Sequence, residues 1–182
     1  MLAILFDYSC PHCRAAHGYL AEGIKRYDGK LGLVMLPMPL NSDCNPHWEE
    51  TEPRFKDSCK LARLALAVHR AAPEKFAEFD AWLFEPEMPR SAEDARAEAE
   101  RLVSAERLES ALADPSVAER IAADTAAFGR LQETNPDAAA LPIIMSPGFS
   151  TLVGRHESAD ELFQSLKQAG LPLETAAVPS GD

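Results

Sequence analysis

The chain has 182 residues, of which 46% are hydrophobic, and it carries a formal net charge of −11. This length suits one domain, or one domain that carries a large insertion. The apolar fraction suffices for a core that needs no disulfide merely to fold. The negative charge argues against nucleic acids and anionic membranes as partners, although it also fits ordinary solubility. No segment approaches the ~20 apolar residues of a membrane span, so no membrane insertion is expected.

The first part of the chain alternates between the patterns of strands and of a helix. Leu2–Phe6 is a short apolar run of strand length. Residues 11 to about 27 have the pattern of a helix that ends at Asp28-Gly29, and residues 31–36 form a second apolar run. Two parallel strands joined by a helix make a βαβ unit, which these three segments therefore predict.

The middle of the chain, after a polar loop at 41–53, has helical periodicity for about eighty residues. Ser91 with Asp94 forms a capping box that predicts the start of a third helix, and Asp114-Pro115 predicts the start of a fourth. The periodic apolar positions are Leu61, Leu64, Ala65 and Val68, then Phe76, Phe79 and Leu83, then Ala95, Ala99 and Leu102, and finally Val117, Ile121, Phe128 and Leu131. Residues 55–134 are therefore predicted to form an inserted helical domain.

The last part of the chain returns to strands. Residues 142–145 and 151–153 are short apolar runs around a turn at 146–149, which predicts a hairpin. Ser158 and Glu161 form the capping box of a last helix, which Gly170 ends. We therefore predict an α/β domain made of residues 1–54 and 135–170, with a flexible tail at 171–182.

A Cys-Pro-His-Cys motif lies between the first strand and the first helix. Cys10 falls where a helix N-cap would lie, and Pro11 occupies the first helical position, where its missing N–H costs nothing. A thiolate at the N-cap faces unpaired backbone donors and the positive end of the helix dipole, which lower its pKa. His12, if protonated or donating, favours that thiolate. The motif predicts thiol–disulfide exchange through a redox-active Cys10–Cys13 disulfide, without another cofactor, with Cys10 exposed and acidic and Cys13 shielded.

Two further residues are candidates for tuning these thiols. His17 lies four residues after Cys13 and seven after Cys10, so the three share one helical face. Asp7, three residues before Cys10, is a candidate proton acceptor for Cys13 through water. The alternatives are a packed histidine and an ordinary polar residue at the end of a strand.

The order of elements and the Cys-Pro-His-Cys motif resemble the thioredoxin fold, and in particular the DsbA-like branch of that superfamily, the extracytoplasmic dithiol oxidases. Leu141-Pro142 precedes a strand, which is similar to the place where this family has a cis-proline. The resemblance implies that Pro142 is cis and lies beside Cys10 and Cys13. It also implies that the backbone of Leu141 pairs with an extended substrate.

The position of the acidic residue departs from this pattern. DsbA and thioredoxin carry a buried acid six residues before the first cysteine, where this chain has Ile4. Asp7 and His17 are more similar to the disulfide isomerases of the DsbC type and to thioredoxin domains fused to vitamin K epoxide reductase homologues. Pro11 and His12 favour an oxidase, and an isomerase or reductase of the same fold is the alternative.

The resemblance also implies partners and a compartment. We expect an enzyme that introduces disulfides into unfolded or reduced protein substrates and is re-oxidised by a membrane quinone-linked partner. The periplasm, or another extracytoplasmic compartment, is the expected location. Because residues 1–6 lack the features of a signal peptide, we expect the leader or anchor to lie outside this sequence.

The two remaining cysteines, Cys44 and Cys59, lie in the polar loop and in the first turn of the first inserted helix. An even cysteine count and an oxidising compartment predict a structural disulfide between them. A zinc site of four thiolates, or one completed by His12, His17 or His47, is the alternative. Zinc ribbons usually repeat the Cys-x-x-Cys pair, which this chain does not do, and we therefore expect no metal. A non-catalytic binding domain stabilised by zinc or by disulfides is the function that this alternative implies.

Overall fold

The computed structural model of the chain describes residues 1–27, 31–136, 138, 140–148 and 150–171. The elements in chain order are β1 (Leu2–Phe6), α1 (Pro11–Arg26), β2 (Leu33–Pro37), α2 (Ser58–Ala71), α3 (Pro73–Phe84), α4 (Ala92–Val103), α5 (Ala105–Ala113), α6 (Pro115–Thr134), β3 (Ile143–Met145), β4 (Leu152–Val153) and α7 (Ala159–Gln168). A single turn of 3₁₀ helix at Pro53–Phe55 precedes α2.

The described strands form one mixed sheet in the order β2-β1-β3-β4. β1 pairs in parallel with β2 and antiparallel with β3, and β3 forms a hairpin with β4. The parallel pair needs a crossover connection, which α1 supplies. β1 is therefore an inner strand, and its side chains Leu2, Ile4, Leu5 and Phe6 are buried. This topology confirms the predicted βαβ unit and the predicted hairpin.

Helices α1 and α7 pack closely against each other. A Cβ on Gly23 of α1 would lie only 1.8 Å from Cζ of Phe163 on α7, so glycine is what permits this approach. The predicted limits of α7 are confirmed. Ser158 accepts the N–H of Glu161 at its start, and Gly170, with a φ of 100°, follows its end.

Between β2 and β3, the described residues form five α-helices besides the 3₁₀ turn, one more than the sequence predicts. Ser91 and Asp114 cap α4 and α6 as expected. The additional boundary is Ser104, which separates α4 from α5 with a φ of 68°. A positive φ usually belongs to glycine. Because a serine occupies this position and its neighbours are Val103 and Ala105, the sequence does not indicate the break. α2 lies against α3, α4, α5 and α6; that residues 55–134 form a domain of their own stays a prediction.

None of the helices in the described ranges is both long enough and apolar enough to cross a membrane. Three expectations from the sequence concern residues outside the described ranges. The predicted end of α1 at Asp28-Gly29 lies outside the described residues, as does part of the predicted turn at 146–149. The predicted flexible tail, apart from Leu171, also lies outside them.

Candidate active site

The sheet and α1 place Cys10 at the N-cap of the helix, as the sequence predicts. Cys10 has an extended backbone, and its Sγ accepts the N–H of Cys13 at 3.4 Å. Its own N–H donates to the carbonyl oxygen of Asp7 at 3.1 Å, which turns the chain from β1 into α1. Pro11 follows as the first helical residue, where its missing N–H leaves no donor unpaired. The two cysteines are free thiols that lie within one helical turn.

The expectation that Cys10 is exposed is wrong, because its side chain is only 5% exposed. Its sulfur lies over the first turn of α1, where it accepts the N–H of Cys13, rather than projecting into solvent. Cys13 is fully buried, with 0% exposure, so the predicted order of accessibility holds.

The environments of the two thiols drive their pKa values apart. A hydrogen bond from the Cys13 thiol lowers the pKa of Cys10, against the effect of burial. The backbone N–H groups of Cys13 and His12 lower this pKa further, and the charge of Asp7 raises it. Burial raises the pKa of Cys13 well above its usual value, and the bond to Cys10 acts in the same direction. Cys10 is thus the thiol that ionises first, and Cys13 is the one that keeps its proton.

His12 contributes to this site through its backbone, as one of the unpaired N–H donors that the N-cap position predicts. Its side chain is exposed to solvent. Its backbone N–H lies in the first turn of α1 and stabilises the Cys10 thiolate. That the imidazole of His12 favours the Cys10 thiolate stays a prediction.

Asp7 is buried at the end of β1 and is held by donors from three segments. Its Oδ1 accepts the N–H of Ser9 at 2.6 Å and the Oγ–H of Ser58 at 3.0 Å. Its Oδ2 accepts the N–H of Leu40 at 2.7 Å. Burial raises the pKa of Asp7 to about 6 in spite of these hydrogen bonds. Its pKa thus lies closer to neutral pH than that of an ordinary aspartate. The role of Asp7 as a proton acceptor for Cys13 stays a prediction.

The titration of Asp7 predicts a pH dependence of stability. The pKa is about 6 in the folded chain and 3.8 in its ordinary state. The folded chain therefore binds this proton more tightly than the unfolded chain does, which stabilises the fold. This stabilisation is complete below the unfolded pKa of 3.8 and is lost as the pH rises through the folded pKa of about 6. Relative to an Asp7→Asn variant, the free energy of unfolding of the wild type should fall by about 2 kcal/mol between about pH 4 and pH 7.

Urea unfolding of both proteins at a series of pH values measures this difference. In the variant, the asparagine side chain faces the N–H groups of Ser9 and Leu40. The amide does not titrate, so its effect on the free energy of unfolding does not vary with pH. The difference between the two curves therefore isolates the Asp7 carboxyl group. Parallel curves across this window would show that Asp7 titrates at its ordinary pKa, against the prediction. Thiolate absorbance should also show a lower pKa for Cys10 in Asp7→Asn, because the Asp7 charge raises it.

His17 is joined to the helical segment by an acid that the sequence analysis missed. Its Nε2 lies 2.8 Å from Oδ2 of Asp80 on α3, and the Tyr8 hydroxyl donates to Oδ1 of the same carboxylate at 2.8 Å. The ring of Phe84 stacks on the imidazole with 4.4 Å between centroids. Burial, and then the Asp80 charge, hold the pKa of Tyr8 well above its usual range. Asp80 thus ties α3 both to α1 and to the segment just before Cys10.

The sequence contains one signal for this network. Asp80 directly follows Phe79 on the predicted apolar face of α3, and an acid at such a place needs a partner. The role of His17 in proton transfer to Cys13 stays a prediction. What the structure establishes is that Asp80 fixes the imidazole from the side of α3.

The Leu141–Pro142 peptide bond is cis. Ile143 pairs with Leu5 across the antiparallel β1–β3 ladder, so Pro142 continues this ladder towards the end of β1 that leads into Cys10. The carbonyl oxygen of Pro142 accepts the N–H of Gly154 at 2.8 Å. The side chain of Leu141 is buried. Contact between Pro142 and the thiols, and substrate binding by the Leu141 backbone, stay predictions.

Cys44 and Cys59 form the disulfide that the sequence predicts, with 6.0 Å between their Cα atoms. It joins the loop after β2 to the first turn of α2. Two of the four thiolates of the alternative zinc site are consumed in this bond, so that four-thiolate site is wrong. The described ranges also contain no group of three or more histidine, cysteine or acidic side chains arranged to hold a metal ion.

The sheet order, the Cys10–Cys13 turn at the start of α1 and the helices inserted between β2 and β3 define a thioredoxin-like α/β fold with a helical insertion. Solved structures of this class are similar to the chain. One is a thioredoxin-like oxidoreductase from Silicibacter pomeroyi DSS-3, with 22% identity and a TM-score of 0.66 over 92% of this chain and 84% of that one.

Two other solved structures extend the comparison. The thiol-disulfide exchange protein alpha-DsbA2 from Wolbachia pipientis has 18% identity and a TM-score of 0.68 over 92% of this chain and 80% of that one. A periplasmic thioredoxin-like protein from Salmonella enterica serovar Typhimurium has 19% identity and a TM-score of 0.64 over 92% and 82%. No family model and no curated protein sequence matches the chain. At such low sequence identity, the structural similarity establishes the fold and not the function.

Proposed function

We propose that the protein is a thiol–disulfide oxidoreductase that acts on protein substrates through Cys10 and Cys13. The observation that carries this proposal is the geometry of the pair: two free thiols lie within one helical turn, and the Cys10 sulfur at the N-cap accepts the N–H of Cys13. This geometry shifts the two thiol pKa values in opposite directions. The pKa of Cys10 is lowered chiefly by the Cys13 thiol, and that of Cys13 is raised chiefly by burial. The two sulfurs of such a pair have different roles in exchange. Cys10 is attacked by the substrate and later leaves as a thiolate, whereas Cys13 is shielded from solvent.

The oxidising direction balances without a resident cofactor. A substrate thiolate attacks Sγ of Cys10 in the Cys10–Cys13 disulfide, the bond between the two enzyme sulfurs breaks, and Cys13 departs and takes up a proton. The second substrate thiolate then attacks the substrate sulfur of this mixed disulfide and expels Cys10 as a thiolate. The substrate gains a disulfide, and its two electrons remain on the enzyme as the dithiol. A lowered Cys10 pKa favours the last step, because a more acidic thiol leaves faster.

One observation supports an oxidase over an isomerase or a reductase, and two others support an extracytoplasmic compartment. The lowered pKa of Cys10 stabilises the reduced enzyme, which makes the disulfide form more oxidising. The Cys44–Cys59 disulfide is typical of proteins in oxidising compartments. The similar Salmonella structure is described as periplasmic. The electrons left on the enzyme must pass to an acceptor, and we propose a membrane quinone-linked partner for that step.

The reduction potential of the Cys10–Cys13 pair tests the proposal. Equilibration with glutathione buffers should give a value near about −120 mV for an oxidase, whereas about −270 mV would assign a reductase. In parallel, the oxidised protein should transfer its disulfide to a reduced, unfolded test protein much faster than glutathione disulfide at equal concentration. A Cys10–Cys13 pair that neither equilibrates with the buffer nor transfers its disulfide would overturn the proposal.

A further inference from the structure

A groove opens beside the residue that precedes the nucleophile. Ser9 forms one wall, the segment 53–57 before α2 forms the second, and residues 88–91 between α3 and α4 form the third. The cavity has a volume of about 430 Å³. This space accommodates a few residues of an extended peptide. Ser9 directly precedes Cys10, and consecutive Cα atoms are about 3.8 Å apart, so the groove adjoins the backbone of the nucleophile.

Two cations of this groove are not neutralised by the protein. The Nε of Arg54 donates to the carbonyl oxygen of Ser9 at 2.7 Å, and its Nη2 donates to the carbonyl oxygen of Glu87 at 3.3 Å. These neutral partners fix the guanidinium in place and leave its charge. Lys56 is exposed, and within the described residues neither Arg54 nor Lys56 forms an ion pair with a carboxylate. The lining of the groove thus carries two unpaired positive charges on a chain whose net charge is −11.

The other charges at the groove already have partners. Asp57 lies 3.7 Å from the Nζ of Lys60, and its Oδ2 accepts the N–H of Ala92. Arg90 pairs with Glu85 at 2.6 Å and covers the ring of Trp82 at 4.1 Å. Among the residues that line the groove, the charges without an ion pair are therefore those of Arg54 and Lys56.

The rim of the groove also offers apolar surface. Met88 is 66% exposed, and Met1 is the only other large hydrophobic side chain in the described residues that is so open to solvent. Pro89 adjoins it in the lining of the groove. The flexible thioether of Met88 can pack against side chains of different shapes, which suits a surface that binds peptides of many sequences.

We propose that this groove binds the stretch of a reduced protein substrate next to its cysteine, and that it prefers acidic side chains there. This inference rests on the proposed function and names its substrate class. Arg54 and Lys56 attract an acidic side chain of the substrate, while Met88 packs against an apolar substrate residue beside it. The local attraction also counters the repulsion that an acidic substrate meets from the rest of the chain.

Matched peptides test the inference. Three dithiol peptides would differ only in the two residues that flank the first cysteine, which are Glu, Gln or Lys. Each peptide is oxidised by the protein in its Cys10–Cys13 disulfide form. The measured kcat/KM is divided by the rate of the peptide's uncatalysed reaction with a neutral small disulfide. This division removes the effect of the flanking charge on the thiol itself. We expect the Glu peptide to exceed the Lys peptide by about 10-fold at low salt, with a smaller ratio at high salt.

Charge reversal at Lys56 supplies the matched variant. Lys56→Glu should lower the normalised kcat/KM of the Glu peptide by about 5-fold and raise that of the Lys peptide. Lys25→Glu makes the same charge change on an exposed residue about 20 Å along α1 from Cys10, and it should change neither value. Equal melting temperatures of the variants exclude a folding defect.

The outcomes separate the inference from the proposed function. Oxidation of the three peptides at equal normalised rates, unaffected by Lys56→Glu, would overturn the groove inference and leave the oxidoreductase intact. If the wild type oxidises none of the peptides and no unfolded protein, the proposed function itself fails. A dimer in sedimentation that Lys56→Glu dissociates would assign the groove to a second copy of the chain, against the peptide.

Discussion

Replacing Cys10 by alanine should decrease catalysed disulfide transfer by at least about 10³-fold, because the variant lacks the sulfur that forms the mixed disulfide. Cys13 cannot take over this role. It is fully buried, and its pKa is raised by that burial, so it offers almost no thiolate to a substrate near neutral pH. The rate of oxidation of a reduced, unfolded test protein measures the effect. Circular dichroism confirms that the variant is folded.

Two substitutions at Cys13 are the matched controls. Cys13→Ala keeps the nucleophile but removes the thiol that contributes most to lowering the pKa of Cys10, so this pKa should rise. Cys13→Ser retains a hydroxyl donor and should restore part of the shift. Iodoacetamide should therefore label Cys10 more slowly at pH 6 in the alanine variant than in the serine variant. With a test protein that contains a disulfide, the Cys10 thiolate of both variants should attack that disulfide, expel one substrate thiolate and form a mixed disulfide. This mixed disulfide should accumulate, because neither variant has the Cys13 sulfur that would attack Cys10 and release the substrate. If Cys10→Ala retains turnover and Cys13→Ala loses it, the assigned roles are reversed.

The parts of this site that the sequence predicts are those set by neighbouring residues. Pro11 after Cys10 indicates the start of a helix, and the helix start dictates which sulfur meets the free N–H groups. The capping boxes at Ser91 and Ser158 predict two more helices for the same reason. In each case one hydrogen bond between residues three apart decides the local structure, so a short stretch of sequence suffices.

The parts that the sequence does not predict depend on residues that are far apart in the chain. Asp7 is held by Leu40 and Ser58, which are 33 and 51 residues away, and His17 is held by Asp80, 63 residues away. Before the fold is known, nothing distinguishes these donors and acceptors from other polar side chains. The burial of Cys10 has the same origin. An N-cap position alone indicates the surface, whereas the packing of the neighbouring loops determines how much of it stays open.

The second large effect expected concerns stability and lies outside the thiol pair. Replacing both Cys44 and Cys59 by alanine should lower the free energy of unfolding by about 3 kcal/mol in the chain-entropy description, for their sequence separation of 15. For a chain of this length, that loss corresponds to a decrease of roughly 6–12 °C in the melting temperature. Denaturant unfolding of the wild type and the variant, both with Cys10 and Cys13 reduced by the same selective treatment, measures the difference.

The Cys44–Cys59 bond should also affect the thiol pair, because it connects two of the segments that hold Asp7. Leu40 lies four residues before Cys44, and Ser58 directly precedes Cys59. Their hydrogen bonds hold the pKa of Asp7 below the value that burial alone would give. If the broken disulfide loosens these donors, the pH window in which Asp7 destabilises the fold should move upward. Ser58→Ala, with the disulfide intact, should move it in the same direction, and Ser58→Thr should restore it. A variant that loses the full 3 kcal/mol and keeps the wild-type pH window would show that the disulfide only fastens the loop to α2.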